Sequence, residues 1–182
     1  MILLDPDLES DPSPKTKSVK HPAGSSYSVS KPANRNSKNH NSKLPSARAL
    51  ARFLVAAQAA LRLQGEVTVL LTTDAAIRRL NRRFRGKNKA TDVLSFPAEN
   101  LPNAGEKTAG DLAISIPTAR RQGAACGHSL TTEIKVLILH GLLHLAGYDH
   151  ETDNGRMARR EVKLRAKLKL PQGLIERAKV KS

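Results

Sequence analysis

Residues 130–150 read LTTEIKVLILHGLLHLAGYDH, and the fold turns on how this stretch is placed. Ser129 stands before it as a helix cap, and Glu133 in the first turn suits the positive end of the helix dipole. The segment is apolar on nearly every side, which predicts a central helix buried all round. Two imidazoles interrupt it, His140 and His144. Positions i and i+4 lie one turn apart on one helix face, so both rings can aim a nitrogen at one point. Gly147 is expected to end the helix in a left-handed cap, after which the chain can swing His150 back toward the pair. Three imidazoles with one open position are the donor set of a catalytic zinc centre. The competing reading is a set of hydrogen-bonded core histidines, but burying imidazoles in so apolar a helix without a strong partner is costly.

Around this helix the chain alternates helical and extended patterns. Ser46 can cap a helix over ARALARFLVAAQAALRLQ, stopped at Gly65. Glu66–Thr72, EVTVLLT, reads as a strand. Thr73 and Asp74 offer caps for AAIRRLNRRF, with Ile77, Leu80 and Phe84 on one side. The basic loop Arg85–Thr91 leads to a strand over Val93, Leu94 and Phe96 that Pro97 ends. Residues 98–109 read as a polar loop, and Asp111–Ile116 as a further strand. Pro117 suits the first turn of a helix through about Ala125. Asp153 opens a last basic helix reaching about Leu170, before Pro171. Ile2–Leu4 can form a short N-terminal strand within residues 1–8. Residues 9–43 are rich in Ser, Lys, Asn and Pro and read as a disordered polar insert or linker. The expected catalytic domain spans residues 44–170, with a basic tail over 171–182. The order of elements predicts an α+β (or α/β) domain with a small mixed sheet packed against helices.

The 182-residue chain carries 31 Lys plus Arg against 16 Asp plus Glu, a net charge of +15. That surplus favours a polyanion partner, chiefly nucleic acid, over a merely solvated basic surface. Aromatic residues make up only 3%, which disfavours a recognition sheet of stacked rings. Cys126 is the single cysteine, so an intramolecular disulfide is excluded and nothing points to an oxidising compartment. The start, MILLDPDLES, lacks the pattern of a secretory signal, and no apolar run reaches the length of a membrane span. A cytoplasmic enzyme without a membrane partner is the expectation.

The histidine spacing equals that of the metzincin signature H-E-x-x-H-x-x-G-x-x-H, except that Gly141 replaces the Glu that serves those peptidases as general base. Proteolysis by that mechanism is disfavoured, while zinc could still activate water or polarise a substrate oxygen. Cys126 and His128 precede the helix and read as residues of the capping loop rather than as ligands.

The stretch HGLLHLAGYDH, with LNRRFRGKNKATDVLSFP (Leu80–Pro97), GDLAIS (Gly110–Ser115) and the PTARRQ that follows, resembles the YbeY-type endoribonucleases, the rRNA maturation factors. Met157 and Glu161 are weaker matches on the helix after the histidine motif. The resemblance implies a zincin-like fold and one zinc ion bound by His140, His144 and His150. It also implies single-strand-specific RNA cleavage, in maturation of the 16S rRNA 3′ end and in ribosome quality control, with RNA and possible ribosomal proteins as partners. The family's important arginine falls on Arg85, the expected catalytic residue, whose guanidinium could stabilise phosphate charge. Lys87 and Lys89 then hold the RNA backbone, unless they belong to a solvated basic face with Arg82 and Arg83. Asp92, Ser95 and Asp111 line the substrate groove or serve at strand ends. For Asp149 two readings stand: orienting a ligand from behind, or capping the turn after Gly147. Ala90 departs from the family's usual Pro. The basic amphipathic stretch RREVKLRAKLKL faces RNA, a ribosomal protein or solvent. Alternatives are a ribosome-associated RNA-binding factor with a structural zinc, and another metal-dependent hydrolase.

Overall fold

The computed structural model describes residues 1–8, 44–100 and 107–172. The expectations for residues 9–43, for the middle of the 98–109 loop and for most of the 171–182 tail fall outside them. The elements run β1 (Ile2–Leu4), α1 (Ala47–Leu61), β2 (Glu66–Thr72), α2 (Asp74–Arg85), β3 (Val93–Pro97), β4 (Thr108–Ser115), α3 (Ile116–Ala125), α4 (Leu130–Leu145) and α5 (Arg156–Lys167). The four strands form one mixed sheet in the order β1-β2-β4-β3. β1, β2 and β4 are parallel, and β3 closes one edge antiparallel to β4. This is the expected α+β domain with a small mixed sheet against helices. Because β1 pairs with β2, residues 9–43 fall in sequence between two elements of one domain.

Alternation along β2 and β4 decides which helix covers which face. Val67, Val69 and Leu71 of β2 and Leu112 and Ile114 of β4 point to one side, into a core with Leu50 and Leu54 of α1 and Ile134, Leu137, Ile138 and Leu142 of α4. Ala113 and Leu94 point to the other side and meet Ile77 of α2. The opposite side of α4, with Val136, Leu139 and Leu143, packs on Met157 and Leu164 of α5. This helix is therefore clamped between sheet and α5, as its all-round apolarity requires. Each large aliphatic residue so buried contributes roughly 1.5–3 kcal/mol relative to exposure.

Several boundaries differ from expectation for definite reasons. α1 stops at Leu61, not at Gly65, because Arg62 takes the left-handed cap at φ 59 and donates to Ala59 and Gln58. Gly65 is needed instead for a close backbone approach, since a Cβ there would lie 2.8 Å from both the Ala109 nitrogen and the Lys107 oxygen. β4 begins at Thr108 rather than Asp111, and Ile116 belongs to α3, whose cap is Ser115. α5 starts at Arg156, with Asp153 reaching in to accept from the Met157 nitrogen at 2.7 Å, and it ends at Lys167. Phe84 lies 49% exposed with its ring edge-on to Phe96 at 5.1 Å, rather than in the core beside Ile77.

Candidate metal centre and basic cleft

The Ser129 hydroxyl accepts from the Thr132 nitrogen at 3.1 Å and so fixes where α4 begins. That start places His140 and His144 on one face of its last two turns. At the far end Gly147 sits at φ +82, its nitrogen donates to His144 and the Tyr148 nitrogen donates to Leu143, each at 3.0 Å. This is a Schellman termination. The turn that follows is built on Asp149. One carboxylate oxygen accepts from the Glu151 nitrogen at 3.0 Å and the other from the Thr152 hydroxyl at 2.9 Å. Of the two roles open to Asp149, these contacts belong to the turn. These bonds hold the Asp149 carboxyl below its usual range, with smaller help from the nearby His144 and His150.

The turn carries His150 back over the helix end. The three imidazole centroids stand 4.9, 5.6 and 5.3 Å apart, and one nitrogen from each ring lies within 4.8 Å of the others. Nε2 of His140 and Nε2 of His144 face each other at 3.2 Å. Tetrahedral ligands at ~2.1 Å from a zinc ion would stand about 3.4 Å apart, so this spacing suits a shared cation. Proton placement supports the same conclusion. Nδ1 of His140 lies 3.2 Å from Oε2 of Glu161. A carboxylate only accepts, so Nδ1 of His140 donates to it, and Nε2 is the nitrogen that faces the site. His144 bonds the Tyr148 backbone, and burial, followed by the charges of His140 and His150, pushes its pKa down to about 4.

Glu161 was legible only as a weak match, yet it touches a candidate ligand. Burial opposes its ionisation, but the hydrogen bond and charge of His140 and the Arg165 guanidinium outweigh that and hold it below the usual carboxylate range. The i,i+4 spacing of Glu161 and Arg165 was the available signal, and it is equally common on solvated helices.

Gly141 explains the absent glutamate. A Cβ there would lie 2.7 Å from Cδ2 of Leu112 and 3.3 Å from Oγ of Ser95. The position faces the sheet, where a glutamate has no room. The Ser95 hydroxyl donates to the Gly141 carbonyl at 3.4 Å, which places Ser95 beneath the helix that carries the imidazoles.

The basic residues gather elsewhere. Arg85 ends α2, and Gly86 caps it in the left-handed region at φ +68. Arg82, Arg83 and Arg85 in this last turn suit the helix dipole. Asn81, only 5% exposed, donates from its side chain to the Lys89 carbonyl at 2.7 Å and so folds the basic loop back. Arg85, Lys87, Lys89 and Asp92 line a cleft of about 500 Å3 with Asn81 and Gln122. Asp92 anchors that cleft: it accepts from the Val93 nitrogen, the Thr91 hydroxyl and the Gln122 amide at 2.8, 3.0 and 2.9 Å. The expected site residues thus fall in two places. His140 and His144 belong to α4, His150 to the turn after it and Ser95 to the strand beneath it, while Arg85, Lys87, Lys89 and Asp92 belong to the cleft, whose lining does not include the histidines. Asp111 stands opposite Phe96 in the β3–β4 ladder. Cys126 caps α3 exposed to solvent, and His128 lies 3.5 Å from Glu133 at the start of α4.

A family model described as Endoribonuclease YbeY matches residues 33–169. A Koribacter versatilis protein named Endoribonuclease YbeY is 52% identical over 132 residues, which cover 72% of this chain and 84% of that protein. A Solibacter usitatus protein of the same name is 55% identical over 124 residues, covering 65% and 80%. A solution structure from Thermotoga maritima aligns with 69% of this chain and 85% of its own at 25% identity, with a TM-score of 0.47.

Proposed function

The chain belongs to the YbeY endoribonuclease family and is a hydrolase acting on RNA in rRNA processing, and from that premise we propose that it cuts single-stranded RNA at a zinc ion held by His140, His144 and His150. The observation that carries this reading is the convergence of the three imidazoles, with the closest two nitrogens 3.2 Å apart and the His140 proton turned away toward Glu161. Three imidazole nitrogens favour zinc over magnesium or calcium, which prefer oxygen donors. His150 is exposed, which leaves the centre open on the solvent side, as a catalytic rather than a structural site requires.

When bound, the ion would supply Lewis acidity for charge building on a phosphoryl oxygen. The chain's own residues do the rest. Arg85, in the cleft rather than at the imidazoles, is the proposed catalytic residue, and its guanidinium would offer bidentate hydrogen bonds to a backbone phosphate of the bound RNA strand. Lys87 and Lys89 hold the backbone electrostatically along the cleft, and Asp92 keeps the loop that carries them against α3. Ser95 fixes the carbonyl next to His140, and Asp149 shapes the turn that delivers His150. The finer assignment is maturation of the 16S rRNA 3′ end and ribosome quality control in the cytoplasm, beside ribosomal proteins. It is supported by family membership, by the net charge of +15 and by a described structure in which no helix is long and apolar enough to cross a membrane.

Metal-depleted protein, reloaded with zinc and given single-stranded RNA, tests this reading. Cutting that returns with zinc supports it. Binding without cutting in either state selects a ribosome-associated factor with a structural zinc.

A further inference from the structure

Arg165 is the bulkiest of the fully buried side chains at 2% exposed, and Glu161 beside it is 1% exposed. They share the buried face of α5 with Met157 and Leu164, the two apolar residues that pack on Leu139 and Leu143 of α4. Desolvating an ion pair in such a setting is costly, and apolar side chains of similar volume often hold a core as well or better. Fold stability alone is therefore a poor reason for these charges to be here.

Their hydrogen bonds divide cleanly. Nε and Nη2 of Arg165 both donate to Oε1 of Glu161, at 2.8 and 2.5 Å. Oε2 is left for Nδ1 of His140 at 3.2 Å. Nη1 of Arg165 donates to the Pro171 carbonyl at 3.0 Å. The guanidinium thus holds the carboxylate from one side and is itself held from the other, so Glu161 has one oxygen free and one direction in which to point it.

We propose that the Glu161–Arg165 pair is a positioning device for His140: it keeps the ring's proton on Nδ1, fixes the ring plane and presents the Nε2 lone pair to the metal, so that it sets metal affinity more than fold stability. The inference rests on the reading of His140 as a metal ligand. A carboxylate behind an imidazole raises its basicity as a ligand, and losing such a partner typically costs 10–100-fold in metal affinity. Arg165 acts through Glu161, because without the guanidinium on Oε1 the carboxylate can rotate away from His140.

The test uses the full chain in three forms: wild type, Glu161→Gln, and the double variant Glu161→Leu/Arg165→Met, which leaves no charge stranded in the core. Zinc affinity is read by chelator competition, the His140 tautomer by nitrogen NMR on metal-free protein, and stability by urea denaturation. We expect both variants to bind zinc about 10–100-fold more weakly and to lose the exclusive Nδ1-protonated form, while the double variant keeps the wild-type midpoint. Unchanged affinity and tautomer, with or without a lowered midpoint, would make the pair a fold element and overturn the proposal. Should the double variant fail to fold, affinity and tautomer in Glu161→Gln decide alone. A wild type that binds no zinc refutes the metal reading instead, and the metal-free tautomer still decides whether Glu161 positions His140.

Discussion

Arg85 and the histidines carry different burdens, so their removal should leave different signatures. Arg85 lines the cleft from an exposed helix end and touches none of the imidazoles among the described contacts. Replacing Arg85 with Ala should lower RNA cleavage by about 100-fold or more, the scale of losing one transition-state donor, with zinc content unchanged. Cleavage equal to wild type would reject its catalytic role, and lost zinc would mean that it supports the site rather than the substrate. A second expectation concerns Asp74. Burial opposes its ionisation, but hydrogen bonds from Ser115, Thr118 and Arg121 outweigh it and set its folded pKa below the ordinary value of 3.8. A depressed carboxylate stabilises the fold above its unfolded pKa and loses that contribution as pH falls through the folded value. The difference in melting temperature between wild type and Asp74→Asn should therefore hold steady from pH 5 to 8 and shrink below about pH 3.8. A difference that widens on acidification would contradict the assignment.

At the scale of elements, α4 governs both packing and chemistry. Gly141 lets the helix lie close on β4 while its neighbours turn imidazoles outward. Gly141→Ala should destabilise the domain by about 1–3 kcal/mol in urea denaturation, because Leu112 is itself buried and has nowhere to move. An unchanged midpoint would show that the helix can lift away without penalty. Most elements were legible because local pattern and tertiary role agree: β2 is the run Glu66–Thr72, and α4 lies between Ser129 and Gly147. The start of β4 was not legible. Thr108, Ala109 and Gly110 carry no strand pattern, and they are extended because Thr108 and Gly110 pair with β2 around a register shift at Ala109 and Gly110 also pairs with Pro97 of β3. In sequence Glu161 and Arg165 look like part of a basic amphipathic surface, since only the docking of α5 on α4 turns that face inward. The histidine triad was legible because i,i+4 spacing and a helix-ending glycine encode its geometry locally. The separation of the cleft from the imidazoles depends on how α2 and α4 are held on opposite faces of the sheet, and no local spacing records that.

For the whole molecule, the charge of +15 sets how RNA arrives. Binding that neutralises phosphates releases counterions, so the logarithm of affinity should fall linearly with the logarithm of salt concentration. Neutralising Lys87 and Lys89 together should reduce that slope by about 1–2, with a matching rise in KM and little change in zinc content. A slope that stays the same would assign both lysines to a solvated face and move the RNA track elsewhere.

The most direct test sets bound metal beside cleavage of single-stranded RNA, in wild type and His144→Ala prepared alike. The account expects about one zinc per chain and cleavage in the wild type, with both lost in the variant while the fold persists. A variant that keeps cutting RNA without bound metal would contradict it.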